Sequence, residues 1–478
     1  LNQTLQEKYP HLEVSVLKLS EVKKNIDFRI DDSFWTMKLI YNNKLNYKKI
    51  GECLLKSQYG ISINMNEGGD GIPIYRMNDI DNMLCNFEVK KYALIDKNEL
   101  QTFRLNYGDV LFNRTNSYEF VGRTGIFYNN RENFVFASYL VRLVCNKEIL
   151  LPEYLTVFLN THIGKKEIRR RARPSINQTN VNPEELKEIK IPIFPMEFQL
   201  EIQNLVKDSH KALEESKELY KKAEETLYLE LGLDPKNPLQ SLLDSKTNNP
   251  TKSLNISIHT LKESFLKTGR LDSEYYQKKY EINEKIIMNK KYTVLDNLVS
   301  ITKSIEPGSN LYKNKGIPFI RVANLTQYGL SEGDVFLDEK DFFPQYLQIL
   351  YPKKDTILFS KDGSVGIAYC VKEDKEVITS GAILHLNIKD KENILPEYLT
   401  LFLNSIFVKL QAQRDCGGSI ISHWRIEDIK KVLVAILDIK IQEKIAKYIQ
   451  ESFNLRKKSK QLLDNAKNKV EEQIQGKI

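Results

Sequence analysis

Two ten-residue stretches far apart in the chain differ at one position: LPEYLTVFLN at Leu151–Asn160 and LPEYLTLFLN at Leu395–Asn404. Other pairs keep nearly the same separation. Gly71-Ile-Pro-Ile-Tyr-Arg76 is answered by Gly316-Ile-Pro-Phe-Ile-Arg321, and Tyr107-Gly-Asp-Val-Leu-Phe112 by Lys354-Asp-Thr-Ile-Leu-Phe359. Arg29-Ile-Asp31 matches Arg270-Leu-Asp272, and an aromatic pair follows each (Phe34-Trp35; Tyr275-Tyr276). Four collinear matches at offsets of about 241 to 247 residues mean one structural unit written twice. Any fold for this chain must therefore be a tandem of two similar domains.

Each copy has two parts. The first, residues 25–195 and 268–437, mixes short β-rich runs such as Val110–Asn113 and Thr356–Ser360 with Gly, Asn and Pro turns and a few helices, which predicts an α+β domain. The second, residues 196–231 and 438–478, is charged, almost free of Gly and Pro, and helical in spacing. Val206, Leu213, Tyr220 and Leu227 recur every seventh residue beside Ser209, Ser216 and Ala223; Ile449, Leu463 and Val470 run beside Ser452, Ser459 and Ala466. Heptads that pair large apolar with small residues predict two helices packed close together. Residues 232–267, rich in Asn, Pro, Ser and Thr in their first part, read as a helix stop and a linker. Residues 1–24 lie outside the first copy.

Composition narrows the function classes. Lys and Arg exceed Asp and Glu by 71 to 63, a formal net charge of +8 that permits a polyanionic partner without demanding one. Five scattered cysteines (Cys53, Cys85, Cys145, Cys370, Cys416) with no ligand spacing predict reduced thiols in a cytoplasmic protein rather than disulfides or a zinc site. No apolar run approaches a membrane span, and no signal peptide is read at the start. The chain contains no phosphate-binding loop, no dinucleotide-binding fingerprint, no Asn-Pro-Pro-aromatic tetrapeptide of adenine methyltransferases, and no HExxH or GxSxG. One nuclease-like string, Asp81 with Glu88-Val-Lys90, fits a Mg²⁺-binding carboxylate–carboxylate–lysine pattern but has no counterpart in the second copy.

The candidate binding residues cluster in loops. Arg169, Arg170, Arg171 and Arg173, with Lys165 and Lys166, form a cationic group suited to phosphate pairing; the bland alternative is a solvated basic helix end. Asn113, Arg114 and Asn116 follow a strand, where Arg and Asn can read guanine and adenine edges bidentately. Lys361 and Ser364 occupy the matching place in the second copy. A further loop pair carries Asn177 and Ser419. Gln58 and Tyr59, expected in a loop after the first strand, add an amide and an aromatic ring.

Taken together, the duplicated plan, GIPFIR followed by Asn324, GDVLFNRTNS with VGRTG behind it, LPEYLT-x-FLN, and the helix-leading segments Ile191–Gln199 and Val432–Gln442 resemble the DNA specificity subunits of Type I restriction-modification systems. The resemblance implies a non-catalytic chain that reads a bipartite double-stranded DNA target, one half-site per domain. It implies that the two long helices form an antiparallel coiled coil that spaces the domains. It also implies docking to two adenine-methyltransferase subunits and to restriction/translocase subunits. S-adenosylmethionine, and ATP with Mg²⁺, would belong to those partners and not to this chain. Of the candidates, Asn113, Arg114, Asn116, Asn177, Lys361, Ser364 and Ser419 are the positions to which the family's reading role carries over. Arg76 and Arg321, shared by both copies, are expected to be structural, since shared residues cannot specify two different half-sites. Two other readings stay open: a Mg²⁺-dependent nuclease or single-chain restriction enzyme using Asp81, Glu88 and Lys90, and a protein-binding scaffold without DNA readout.

Overall fold

The computed structural model describes residues 5, 7–12, 14, 16–37, 39–129, 132–176, 178–244, 257–331, 333–417 and 422–476. The chain divides into two compact units, residues 1–214 with 456–478 and residues 215–455. Each unit thus takes a part of both long helices.

In the first unit, strands β1 (Leu54–Tyr59), β2 (Val110–Asn113), β3 (Thr124–Ile126) and β4 (Leu140–Cys145) form an antiparallel sheet in the order β1-β4-β2-β3. Two-residue strands at Leu84–Cys85 and Ile80–Asp81 extend it beyond β3. Every residue of β2 is buried, which is why its sequence reads as a continuous apolar run rather than an alternation. Helix α1 (Pro152–Asn160), opened by a proline whose fixed φ suits a first helical position, packs on β3. Helix α2 (His162–Arg171) follows at once, capped by Thr161, whose hydroxyl accepts from the Gly164 N–H at 3.0 Å. The long helix α3 (Met196–Glu230) comes next.

The second unit repeats this plan. Strands β5 (Val299–Lys303), β6 (Ile357–Ser360), β7 (Ala368–Cys370) and β8 (Ile383–Ile388) lie in the order β5-β8-β6-β7, followed by α4 (Pro396–Asn404), α5 (Ile406–Asp415) and the long α6 (Ile439–Gln475). The register agrees: Leu140 faces Asn113, and Ile383 faces Ser360. Before each central strand one residue takes a left-handed backbone, Gly108 (φ 90°) and Asp355 (φ 68°), residue types that tolerate it.

Side-chain bonds repeat as well. Gln199, buried at the start of α3, accepts from the Leu151 N–H (2.9 Å) and donates to the carbonyls of Ile149 (3.1 Å) and Phe194 (2.9 Å). Gln442, near the start of α6, makes the same three bonds to Leu395, Asn393 and Leu437 at 3.0, 3.1 and 2.9 Å. The hydroxyls of Tyr154 and Tyr398 donate to Pro192 (2.8 Å) and Ala435 (2.7 Å). These bonds tie the LPEYLT helix to the entry of the long helix in both units.

The Arg-x-Asp repeat proves to be a clamp. Arg29 donates bidentately to Asp31 (2.7 and 2.6 Å), as Arg270 does to Asp272 (2.7 and 2.6 Å). The remaining nitrogen donates to the Arg171 carbonyl at 2.8 Å in one unit and to the Arg414 carbonyl at 3.3 Å in the other. Those carbonyls close α2 and α5, so each guanidinium satisfies a helix end and complements its dipole. The first aromatic of each pair, Phe34 or Tyr275, lies under its guanidinium at 4.8 Å.

The two long helices run antiparallel. Within the first unit Ser209 Oγ meets Ser459 Oγ at 2.8 Å; within the second, Ser216 Oγ meets Ser452 Oγ at 3.0 Å. All four serines, with Ala223 and Ala466, are buried. The small residues expected to line a helix seam line it, letting the backbones approach closely. Among the described residues no helix is long and apolar enough to cross a membrane.

Candidate nucleic-acid interface

The two loops singled out in the first copy form one ribbon. Thr115–Asn116 pairs antiparallel with Thr179–Asn180, which pairs in turn with Arg173–Pro174. The Thr115 hydroxyl donates to Asn180 Oδ1 at 2.6 Å. Arg114 sits on this ribbon. Its N–H donates to the Tyr139 carbonyl (3.0 Å), and its own carbonyl accepts from the Val181 N–H (2.9 Å). Its guanidinium lies 5.1 Å from the centre of the Tyr59 ring and donates weakly to the Ser138 carbonyl at 3.4 Å. Asn116 folds back to accept from the Ser117 N–H at 2.8 Å. Asn177 lies outside the described residues.

Gln58 and Tyr59 end strand β1 rather than lying in a loop. Gln58 is engaged within its own domain: it donates to the Thr102 carbonyl, in the helix Lys97–Phe103, at 3.2 Å and accepts from Arg142. Tyr59 is exposed. Asn113 is fully buried, and neither atom of its amide has a hydrogen-bond partner. Its backbone instead brackets the loop, donating to the Arg123 carbonyl and accepting from the Gly122 N–H, each at 2.8 Å.

The second copy builds the same frame. The Ser360 N–H donates to the Ile367 carbonyl (3.0 Å), and the Ser360 carbonyl accepts from Gly366 (2.9 Å). The Lys361 N–H donates to Ala382 (2.9 Å), and the Lys361 carbonyl accepts from the Trp424 N–H (2.8 Å). The tip differs. Lys361 is half-buried and pairs with Asp362, whose other oxygen lies 2.9 Å from His423 Nδ1. Ser364 is exposed, and its carbonyl accepts from the Ser360 hydroxyl at 2.6 Å. Ser419 lies outside the described residues.

The cationic cluster is largely consumed within its own domain. Arg171 is buried against the Glu167 carboxylate. Arg170 donates to the Phe34 carbonyl at 2.7 Å, and burial lowers its pKa. Arg173 pairs with Asp27 and, at 3.5 Å, with Glu185. Arg169 remains exposed, 5.7 Å from the Tyr118 ring. Apart from Glu167, the acidic partners come from segments outside this helix, so the run Arg169–Arg173 overstates the charge offered to a ligand.

Arg76 and Arg321 occupy equivalent turns. The Arg76 N–H donates to Asp79 (2.8 Å), the Arg321 N–H to Asn324 (3.1 Å), and their guanidinia pair with Asp79 and Asp334. Asp81, Glu88 and Lys90 are all exposed, and among the described residues no three His, Cys, Asp or Glu side chains are grouped to hold a metal ion.

Sequence reasoning passed over the aromatics of the loop. Tyr118 and Phe120 are exposed, as is Tyr139 beside the ribbon, and Arg123 stacks over Phe120 at 4.0 Å. With Arg114 on Tyr59, this makes a surface of guanidinium–ring pairs, groups that favour stacked and phosphate-bearing ligands. The alternation of Arg, Tyr, Phe and Arg over residues 114–123 was the available signal.

Comparison with known proteins agrees with the duplication. The model of the family described as Type I restriction modification DNA specificity domain matches twice, over residues 62–225 and 289–467, well over half of the chain. The MjaX specificity subunit of a type I restriction enzyme from Methanocaldococcus jannaschii, a putative one, is 30% identical over 151 residues, 31% of this chain and 35% of that protein. The EcoKI specificity subunit of Escherichia coli K12 is 27% identical over 161 residues, 33% of this chain and 34% of that protein. The matched stretches thus span about a third of the length of these relatives. A type I restriction-modification S subunit from M. genitalium aligns over 90% of this chain and 96% of its own, with 15% identity and a TM-score of 0.40. On the double match to its model, the chain belongs to the Type I restriction-modification DNA specificity domain family.

Proposed function

We propose that this chain recognises double-stranded DNA sequence without catalysing a reaction, reading a bipartite target with one half-site per unit. One observation carries the reading. The loop after the central strand is held by the same backbone bonds in both units, yet the side chains it presents differ: Arg114 on Tyr59 in one, the Lys361–Asp362–His423 group in the other. A constant frame with variable tips is what two readers of different sequences require. In this reading the long helices space the two readers and dock two adenine-methyltransferase subunits, which restriction/translocase subunits join in the cytoplasm. S-adenosylmethionine, and ATP with Mg²⁺, act in those partners.

The test is a map of methylated adenines in DNA from cells that carry this chain with its methyltransferase. A two-part motif is expected. Exchanging residues 25–195 for the matching domain of a relative should change one part and leave the other intact. If both parts changed together, the units would not be independent readers.

A further inference from the structure

The sheet of the first unit carries a second feature. A groove of about 930 Å³ lies against β1 and β4 and is walled by residues between Lys97 and Asp109. The pairing of Gln58 with Arg142 and Lys56 with Val144 puts these four residues on one face of the sheet. Tyr59, one residue on from Gln58, emerges on the other. The groove is therefore distinct from the ribbon where Arg114 stacks on Tyr59.

Arg142 is buried at the floor. It donates to the carbonyls of Arg104 (2.6 Å) and Thr102 (3.3 Å) and to Gln58, and lies 3.5 Å from Asp109. Lys56, Lys97, Arg104 and Lys147 line the same groove and are exposed. None of the four makes an ion pair among the described residues, and Asp109 is the one carboxylate lining the groove. Burial raises the pKa of Asp109, while the neighbouring Arg142 opposes that shift. Four cations thus line one groove beside the buried Arg142 and Asp109, with Lys56 acting on the Asp109 carboxylate, an arrangement that leaves the groove net positive and focuses a positive field.

The second unit repeats neither the buried Arg142–Asp109 pair nor Lys56. By strand register, Ser300, Thr356 and His385 stand where the first unit has Lys56, Asp109 and Arg142. Burial holds His385 down to about 4, so it is neutral at physiological pH. The buried Arg142–Asp109 pair and the lysine beside it are thus features of the first unit, not of the shared frame.

We propose that this groove binds phosphate oxygens, supplied either by the DNA backbone outside the half-site or by a free phosphate-bearing small molecule. The duplex arm of the test rests on the DNA-reading proposal; the small-molecule arm does not. The variant is Lys56→Ser, Lys97→Ala and Lys147→Ala combined in the full chain, with Lys→Arg at all three sites as the rescue. All three lysines are exposed and make no ion pair among the described residues, so the thermal midpoint should match the wild type.

Binding of a random-sequence duplex is measured across salt concentrations, and pyrophosphate is titrated separately by calorimetry. If the backbone is the source, the log–log salt slope falls by about 0.9 for each phosphate that the variant no longer neutralises, and the arginine variant restores it. If a small molecule is the source, the duplex slope stays fixed while pyrophosphate binding weakens by about tenfold or more. An unchanged slope together with no pyrophosphate binding by the wild type overturns the proposal. A chain that binds no duplex at all would sink the DNA-reading proposal, and the pyrophosphate titration alone would then decide the groove.

Discussion

Arg29 and Arg270 make the same bonds in different surroundings, and the difference sets their worth. The Arg29 side chain is 3% exposed and also meets Glu185, itself 1% exposed, at 3.2 Å. Arg270 is 32% exposed, and its carboxylate partner Asp272 is 43% exposed. Removing one member of a buried pair strands the other charge, at about 3–5 kcal/mol, whereas an exposed pair is worth about 1 kcal/mol or less. Arg29→Ala leaves Glu185 with Arg173 at 3.5 Å and should destabilise the first unit by about 3 kcal/mol, and Arg270→Ala the second by about 1 kcal/mol. Urea unfolding followed unit by unit checks this; equal losses would show that burial does not set the value of the clamp. The motif itself was legible as Arg-x-Asp followed by two aromatics. Its role in closing α2 and α5 was not, because the carbonyls it meets lie 142 to 144 residues away. Separation of this order also hid the fate of Arg173, and hid the burial of Asn113, whose surroundings are set by strands that the local sequence does not contain.

At the scale of elements, the most legible features were those whose signal is periodic. Both long helices follow from apolar residues at every seventh position, and the Ser/Ala phase foretold a close helix seam; the central strands were legible as unbroken apolar runs instead. The ribbon of the reading loop was not readable: its strands are two residues long, and the Thr115–Asn180 bond joins positions 65 residues apart. Two residues are too few to show a period. The seam yields a sharp contrast between two kinds of substitution. Ser209→Ala with Ser459→Ala removes both hydroxyls at once and leaves no buried polar atom stranded, so the cost should stay below about 1 kcal/mol. Ser209→Leu puts a branched side chain where Ser459 Oγ stands 2.8 Å away, and overpacking of this kind costs about 1–3 kcal/mol. Thermal unfolding of the two variants should separate them clearly. A leucine tolerated as well as the alanine pair would mean that the helices do not need small residues to approach.

For the whole molecule, the duplication was the decisive signal, and it organises more than the domain count. The helix register pairs Ser209 with Ser459 and Ser216 with Ser452, each a heptad from the next. A heptad inserted after Glu214 and another after Leu455 falls between these two pairs and preserves the seam. A two-residue insertion would rotate the apolar and small residues away from the partner helix. Seven residues add about 10 Å of helix, against about 3.4 Å per base pair of duplex. If the helices space the two readers as proposed, the matched insertions should widen the gap between methylated half-sites by about one to three base pairs. The range reflects the angle between the helix axes and the duplex, and both half-site sequences should stay the same. The measurement is the methylated-adenine map of cells carrying the lengthened chain with its methyltransferase. A folded, active variant that keeps the original gap would show that the helices join the readers without measuring the distance between them.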